Sequence, residues 1–160
     1  MDYRSSFDIS EELAFAWNLL GTNELTQDEY SSVVEDLTEM SAKEGVTISM
    51  LHVLYDRGFR NLERVLGVAA KECSTPLVNL SQFDLQQEAL SILPLDFMIR
   101  RGCILFELMG GEGLVSVLNP YDKKLREDIE RLAGRKCYYY LIHPGSFDEG
   151  MLKVREVLAG

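Results

Sequence analysis

Apolar residues recur at three- and four-residue intervals through the first half of the chain and gather into short runs in the second. Leu13, Trp17 and Leu20 fall at helical spacing, and Tyr30, Val33, Val34, Leu37 and Met40 form a second stripe. Thr26 with Glu29 three residues later reads as a capping box that opens this second helix. Trp17, inside the first stripe, is expected in the core rather than as a platform for a ligand. A third helix is predicted from Thr47 or Ser49 through Leu51, Leu54 and Tyr55, stopped by Gly58, and a fourth carries Leu62, Val65, Leu66, Ala69 and Ala70. Gly21 and Gly45 punctuate the earlier ends. The arrangement is that of two helix pairs in tandem.

From Thr75 the pattern predicts short strands crossed by helices. Residues 76–80 read as a strand, 85–93 as a helix, 95–101 as a further helical turn or two, and 103–109 as a strand. Gly110-Gly111-Glu112-Gly113 then reads as a hairpin turn, because its glycines permit positive φ, and residues 114–118 return as the paired strand. A helix over 121–134 buries Leu125, Ile129 and Leu132 and stops at Gly134. Residues 137–142 form a strand, and a last helix carries Phe147, Met151, Val154 and Leu158. The expected fold class is therefore α+β: a helical lobe of about four helices over 1–74, packed on a small α/β lobe over 75–160 with a three- to four-stranded sheet.

Charge sharpens that division. Of the net −10, residues 1–74 carry 14 acids and 6 bases, and residues 75–160 carry 12 acids and 10 bases. An acidic surface repels a phosphate backbone, which argues against general nucleic-acid binding. At 160 residues and 46% apolar content the chain suits one ordinary domain or two small packed lobes. Met1-Asp2-Tyr3-Arg4-Ser5-Ser6 is polar and leads into no apolar signal region, and no stretch approaches the roughly 20 apolar residues of a membrane span. A cytoplasmic location is expected. Cys73, Cys103 and Cys137, odd in number and widely spaced, fit reduced thiols better than a disulfide framework or a zinc site.

Several elements of the second half stand in an informative order: Pro76 and Leu80, Asp84, the Leu93-Pro94 step, Arg100-Arg101, the hairpin at 110–113, Asn119-Pro120-Tyr121-Asp122, and Gly134. In order and spacing they resemble the N-terminal (GspE N-terminal or MshEN-type) domain of type II secretion and type IV pilus assembly ATPases. The similarity covers residues 45–160 well and 10–44 loosely. The resemblance implies a helical lobe paired with a small α/β lobe, acting as a regulatory module that docks on a platform protein of the secretion or pilus machinery. No Gly-Lys-Ser/Thr phosphate loop occurs, so ATP hydrolysis by the family's motor is not expected of this chain. It is read as a non-enzymatic module, either an excised domain or a small stand-alone relative.

In the part of the family that binds cyclic di-GMP, two tandem motifs in the helical lobe open Arg-Leu-Gly, reach a Gly and close on Gln. Aligned on Gly21 and Gly58, those openings become Glu12-Leu13-Ala14 and Ser49-Met50-Leu51, and the closing positions fall near Leu37 and Glu72. An arginine offers a planar fork and stacking that Glu and Ser do not. No cofactor is therefore expected, and cyclic di-GMP sensing is the alternative function. Its ligand would lie along Leu13, Gly21, Leu25, Leu54, Gly58 and Leu62.

Arg100 and Arg101 beside the hairpin, and Tyr138 and Tyr140 in the run of three tyrosines, are the expected partner contacts. Consecutive strand residues point to opposite faces, so at least one of these tyrosines should be exposed. The bases at 123–136 are offset by acids at i,i+4, as in Lys124/Asp128, and read as a solvated helix face. His52 and His143 lack nearby second ligands, so no metal site is expected. A small enzyme using Cys103 or His143 is the weakest reading. It requires those residues to converge in a concave pocket.

Overall fold

The computed structural model describes residues 9–160, so the polar opening at 1–6 lies outside the described residues. Eight helices and three strands follow in the order α1 (Ser10–Gly21), α2 (Gln27–Ser41), α3 (Met50–Asp56), α4 (Leu62–Glu72), α5 (Gln87–Leu90), α6 (Leu95–Arg101), β1 (Cys103–Met109), β2 (Glu112–Val117), α7 (Lys123–Ala133), β3 (Cys137–Leu141) and α8 (Pro144–Ala159). The fold is α+β, with six of the helices ahead of a small mixed sheet.

Local chemistry sets most of these boundaries. The capping box of α2 is complete: the Glu29 amide donates to Thr26 Oγ1 at 3.1 Å, and the Thr26 amide donates to Glu29 Oε1 at 2.8 Å. Ser49 Oγ accepts from the His52 amide to open α3, and Asp122 Oδ1 accepts from the Leu125 amide to open α7. Gly58 follows α3 at φ +67, and Gly134 ends α7 at φ +64. Gly110 and Gly111, at φ +60 and +85, form the two-residue hairpin that pairs Met109 with Glu112. Two successive positive φ values match the right-handed twist of the flanking strands.

The sheet has the order β1-β2-β3. β1 and β2 are antiparallel, and β2 and β3 are parallel through the α7 crossover. A bulge at Phe106, between the pairs Leu105–Val115 and Glu107–Leu114, turns that ring against Phe83 and Tyr140.

Four expectations need correction. Trp17 is not core: it is 62% exposed and rests edge-on against Tyr30 at 5.5 Å. The inward face of α1 is Glu12, Phe15, Ala16 and Leu19, one residue out of phase with the stripe of Leu13, Trp17 and Leu20. A buried carboxylate at position 12, satisfied by distant partners, selects this phase. Residues 76–80 do not form a strand. Ser74 at φ +50 redirects the chain, only Leu77 bridges to Leu141, and Leu80–Gln82 closes into a 3-10 turn under an Asn79 side-chain cap. The helix expected over 85–93 shrinks to Gln87–Leu90, because Pro94 biases its predecessor away from helical φ/ψ. Finally, Leu132 is only partly buried, and Ala133 takes the third inward place on α7.

Buried side chains from Phe15 to Val154 form one continuous cluster, so the helical and α/β parts share a core. His52 Nε2 lies 2.7 Å from Asp148 Oδ1 and joins α3 to α8. The Ile48 amide donates to the Arg100 carbonyl at 3.2 Å.

Candidate functional site

A cleft of about 450 Å³ opens between the start of α2 and the end of α3. Leu25, Val33 and Leu54 form its floor, and Arg57, Gly58, Phe59, Arg60 and Asn61 form one wall. Its acids are already engaged: Glu29 caps Thr26, and Glu24 meets Arg64 Nε at 3.1 Å. Arg57 is also held, through Asp36 Oδ2 at 2.9 Å and the Ser32 carbonyl at 3.3 Å. Arg60 forms no ion pair among the described residues and stands exposed at the rim. The cleft thus combines an apolar floor, an aromatic ring and one uncommitted guanidinium, a combination suited to a flat anionic ligand or an acidic side chain.

Of the six residues expected to line a ligand, the cleft brings together Leu25, Leu54 and Gly58. Leu62 is buried at the start of α4, Leu13 packs partly buried on α1, and Gly21 is exposed at the end of α1; none of these three lines it. Sequence reading missed Arg57, Phe59 and Arg60, although two arginines flanking Gly58 were a usable signal.

Position 12 lies elsewhere, at a buried node joining both lobes. Glu12 Oε1 accepts from the Met50 amide at 2.8 Å, and its Oε2 accepts from Asn119 Nδ2 at 2.7 Å. Burial raises this carboxyl to about 7, against the two hydrogen bonds that favour its charged form. The side chain aligned with a ligand-binding arginine therefore serves an internal contact.

The expected contact residues divide sharply. Arg101 is buried: its Nη1 donates to Asp128 Oδ2 at 2.9 Å, which corrects the picture of an exposed basic pair. Asp128 also meets Arg131 at 2.8 Å, so Arg101 takes the place expected of Lys124. Arg100 reaches back to the Ser41 carbonyl at 2.7 Å and to the Lys43 carbonyl. Tyr138 is exposed, Tyr140 is half-buried against Phe106, and Tyr139 turns to the opposite face, where its hydroxyl donates to Glu130 Oε2 at 2.8 Å.

Cys103 and His143 do not converge. Cys103 is buried in β1 and burial pushes its thiol up to about 12, while His143 Nδ1 accepts from the Gly145 amide as the cap of α8. No group of three or more ligating side chains suited to a metal occurs among the described residues.

A family model described as the MshEN domain matches residues 73–154, just over half of the chain. The chain belongs to the MshEN domain family. That span includes the whole sheet, α7 and most of α8. The fold extends the likeness into the helical lobe. A structure of MshE with cyclic di-GMP superposes with a TM-score of 0.57 at 13% identity, covering 88% of this chain and 97% of that one. Two crystal forms of the N-terminal domain of XpsE give a TM-score of 0.55 at 18% and 15% identity, covering 92% and 91% of this chain and 97% of theirs. At these identities the likeness is one of fold. No curated protein matches the chain. Among the described residues, no helix is long and apolar enough to cross a membrane.

Proposed function

We propose that this MshEN-family chain is a non-enzymatic regulatory and docking module, its helical lobe (1–74) and α/β lobe (75–160) working as one unit that binds a protein of the secretion or pilus machinery. Family membership carries the reading. The inward use of its ionisable groups supports it: Glu12, Arg101 and His52 are buried and spent on contacts between elements, and the buried Asp122 caps α7. A cytoplasmic setting follows from the same reading. Immobilised chain should capture a secretion or pilus component from an extract of its own cell, identified by mass spectrometry. Recovery of no such component by folded protein overturns the proposal.

One observation favours a second reading. The cleft at Leu25, Leu54 and Gly58 holds three of the residues expected for a cyclic dinucleotide, with Arg60 uncommitted at its rim. MshE, a fold relative, has been solved with cyclic di-GMP. Against this, Glu24 and Glu29 line the same cleft, and Glu12 stands where the motif has arginine. Calorimetric titration separates the readings: micromolar binding of cyclic di-GMP, lost in Arg60→Ala, would establish the sensor, and flat heats would leave the docking module.

A further inference from the structure

The outer edge of β3 is only half covered. In the parallel register with β2, Gly113 donates to the Lys136 carbonyl at 3.0 Å and Ile142 donates to the Val117 carbonyl at 3.1 Å. The alternation between these ends turns the backbone groups of Tyr138 and Tyr140 toward β2 and those of Tyr139 and Leu141 outward. Leu141 is satisfied by the Pro76 carbonyl at 2.8 Å and the Val78 amide at 2.9 Å. There the cover ends, since Ser74 at φ +50 swings the chain away and the Thr75 amide is committed to the Ala70 carbonyl at 2.9 Å. Among the described residues no backbone group meets the outward N–H and C=O of Tyr139. They face a groove of about 290 Å³ lined by Cys73, Pro76, Arg126 and Tyr139.

Charge identifies what the groove takes. The Arg126 guanidinium lies 5.1 Å over the Tyr139 ring and donates from Nη2 to the Pro120 carbonyl at 2.7 Å, while its Nε is buried without a hydrogen-bond partner. Among the described residues it meets no carboxylate within ion-pair distance. Lys136 sits over the Tyr138 ring at 5.2 Å, and Arg135 is held by the Ala133 carbonyl. The nearby acids Glu130 and Glu112 accept from the hydroxyls of Tyr139 and Tyr138. At this edge of a chain with net charge −10, cations rest on rings and carbonyls.

We propose that the free part of the β3 edge takes an extended acidic segment of a partner protein, which adds as a strand beside Tyr139 and sets a carboxylate on the Arg126 guanidinium. Backbone pairing supplies the register and the guanidinium selects the acid. The proposal rests on the docking reading above and names where and by what chemistry the partner binds.

Two synthetic probes test it on the whole chain: acetyl-Thr-Val-Asp-Val-Asp-Val-amide and the same peptide with lysine in place of each aspartate. In amide NMR titrations the acidic peptide should shift Tyr139 and its neighbours and protect the Tyr139 amide from exchange, and the lysine peptide should not. Arg126→Gln, checked by thermal melting for retained fold, should weaken binding about tenfold. Arg126→Lys should restore part of it. The proposal fails if the acidic peptide leaves the Tyr139 amide unchanged, if both peptides bind alike, or if Arg126→Gln binds as well as the parent. Shifts at this edge that grow with protein concentration alone would assign it to a second copy of the chain and also overturn the proposal. A failed titration leaves the capture of a machinery component standing, whereas a failed capture removes the parent reading whatever the peptides do.

Discussion

The Glu12 carboxylate accepts a 2.7 Å hydrogen bond from the side-chain amide of Asn119, 107 residues further along the chain. Asn119 also donates to the Glu11 carbonyl at 3.2 Å and accepts from the Tyr121 amide at 3.1 Å, so one side chain closes the turn before α7 and binds α1 to it. With the Met50 amide on its other oxygen, Glu12 ties three segments of the fold at a point without water access.

The pH dependence of stability should carry the signature of this node. Burial raises the folded-state value of Glu12 from 4.5 to about 7, so its contribution is fully present below about 4.5 and is lost as pH rises through about 7. The window corresponds to about 3 kcal/mol if the whole shift is expressed. Chemical denaturation between pH 5 and 8 should show stability falling with pH, and Glu12→Gln, which cannot titrate, should flatten that slope. Glu12→Ala leaves the Met50 amide without its acceptor and should cost about 1–3 kcal/mol at either pH.

Gly102 ends α6 at φ +69, and a Cβ there would stand 2.8 Å from Leu118 Cδ1. Leu118 is itself buried and donates its amide to the Gly102 carbonyl at 3.1 Å, so it has little room to yield. Gly102→Ala should combine left-handed strain with overpacking and cost about 2–4 kcal/mol. Gly134→Ala, at φ +64 with nothing within 4 Å, should cost only the strain, about 1–2 kcal/mol. Urea midpoints of the two variants compare the terms directly.

Much of this architecture was legible because local signals agreed with the packing. The Thr26/Glu29 box, Gly58 and Gly134 each act locally and stand where the residue pattern placed them, and the turn expected over 110–113 tightens to Gly110-Gly111, with Glu112 and Gly113 already paired in β2. The failures came from long-range choices. Periodicity on α1 offered two neighbouring faces, and only Asn119 and Met50, far away in sequence, make the one containing Glu12 the buried face. The strand at 76–80 failed because a turn at Ser74 limits its pairing to one bridge. In the cleft, Leu25, Leu54 and Gly58 were accessible through the resemblance to the family's tandem motifs, whereas the arginines around Gly58 signalled a basic rim without showing that Arg57 would be tied to Asp36 and Arg60 left exposed.

Arg101 and Asp128 form an ion pair with side chains 3% and 13% exposed. Burial alone would raise the Asp128 carboxyl, but hydrogen bonds from Arg101 and Arg131 outweigh it and hold the group below its ordinary value. A depressed carboxylate contributes stability above its ordinary value of 3.8 and loses it as pH falls. Arg101→Ala should therefore cost about 3–5 kcal/mol near neutrality, with the gap to the parent narrowing in acid below about pH 4. Denaturation curves at pH 7 and pH 3.5 read both effects. Loss of partner binding in an Arg101 variant reports damage to the fold, so surface tests belong on Arg126 and Arg60.

The three cysteines test the thiol-enzyme reading. Cys103 and Cys137 are buried, and burial pushes their thiols up to about 12 and about 11. Cys73 is partly exposed at the mouth of the β3 groove, its thiol also raised by burial. A nucleophile must form thiolate near neutral pH, which requires a lowered value and an approach path. Neither buried cysteine has one. Iodoacetamide on native protein at pH 7.5, followed by peptide mapping, should label Cys73 slowly and spare Cys103 and Cys137, and all three should react once the chain is unfolded. Fast labelling of Cys103 in the native state would show a reachable thiolate in β1 and reopen catalysis at that residue. The acidic peptide should in turn slow labelling of Cys73, because an added strand beside Tyr139 covers the groove that exposes it.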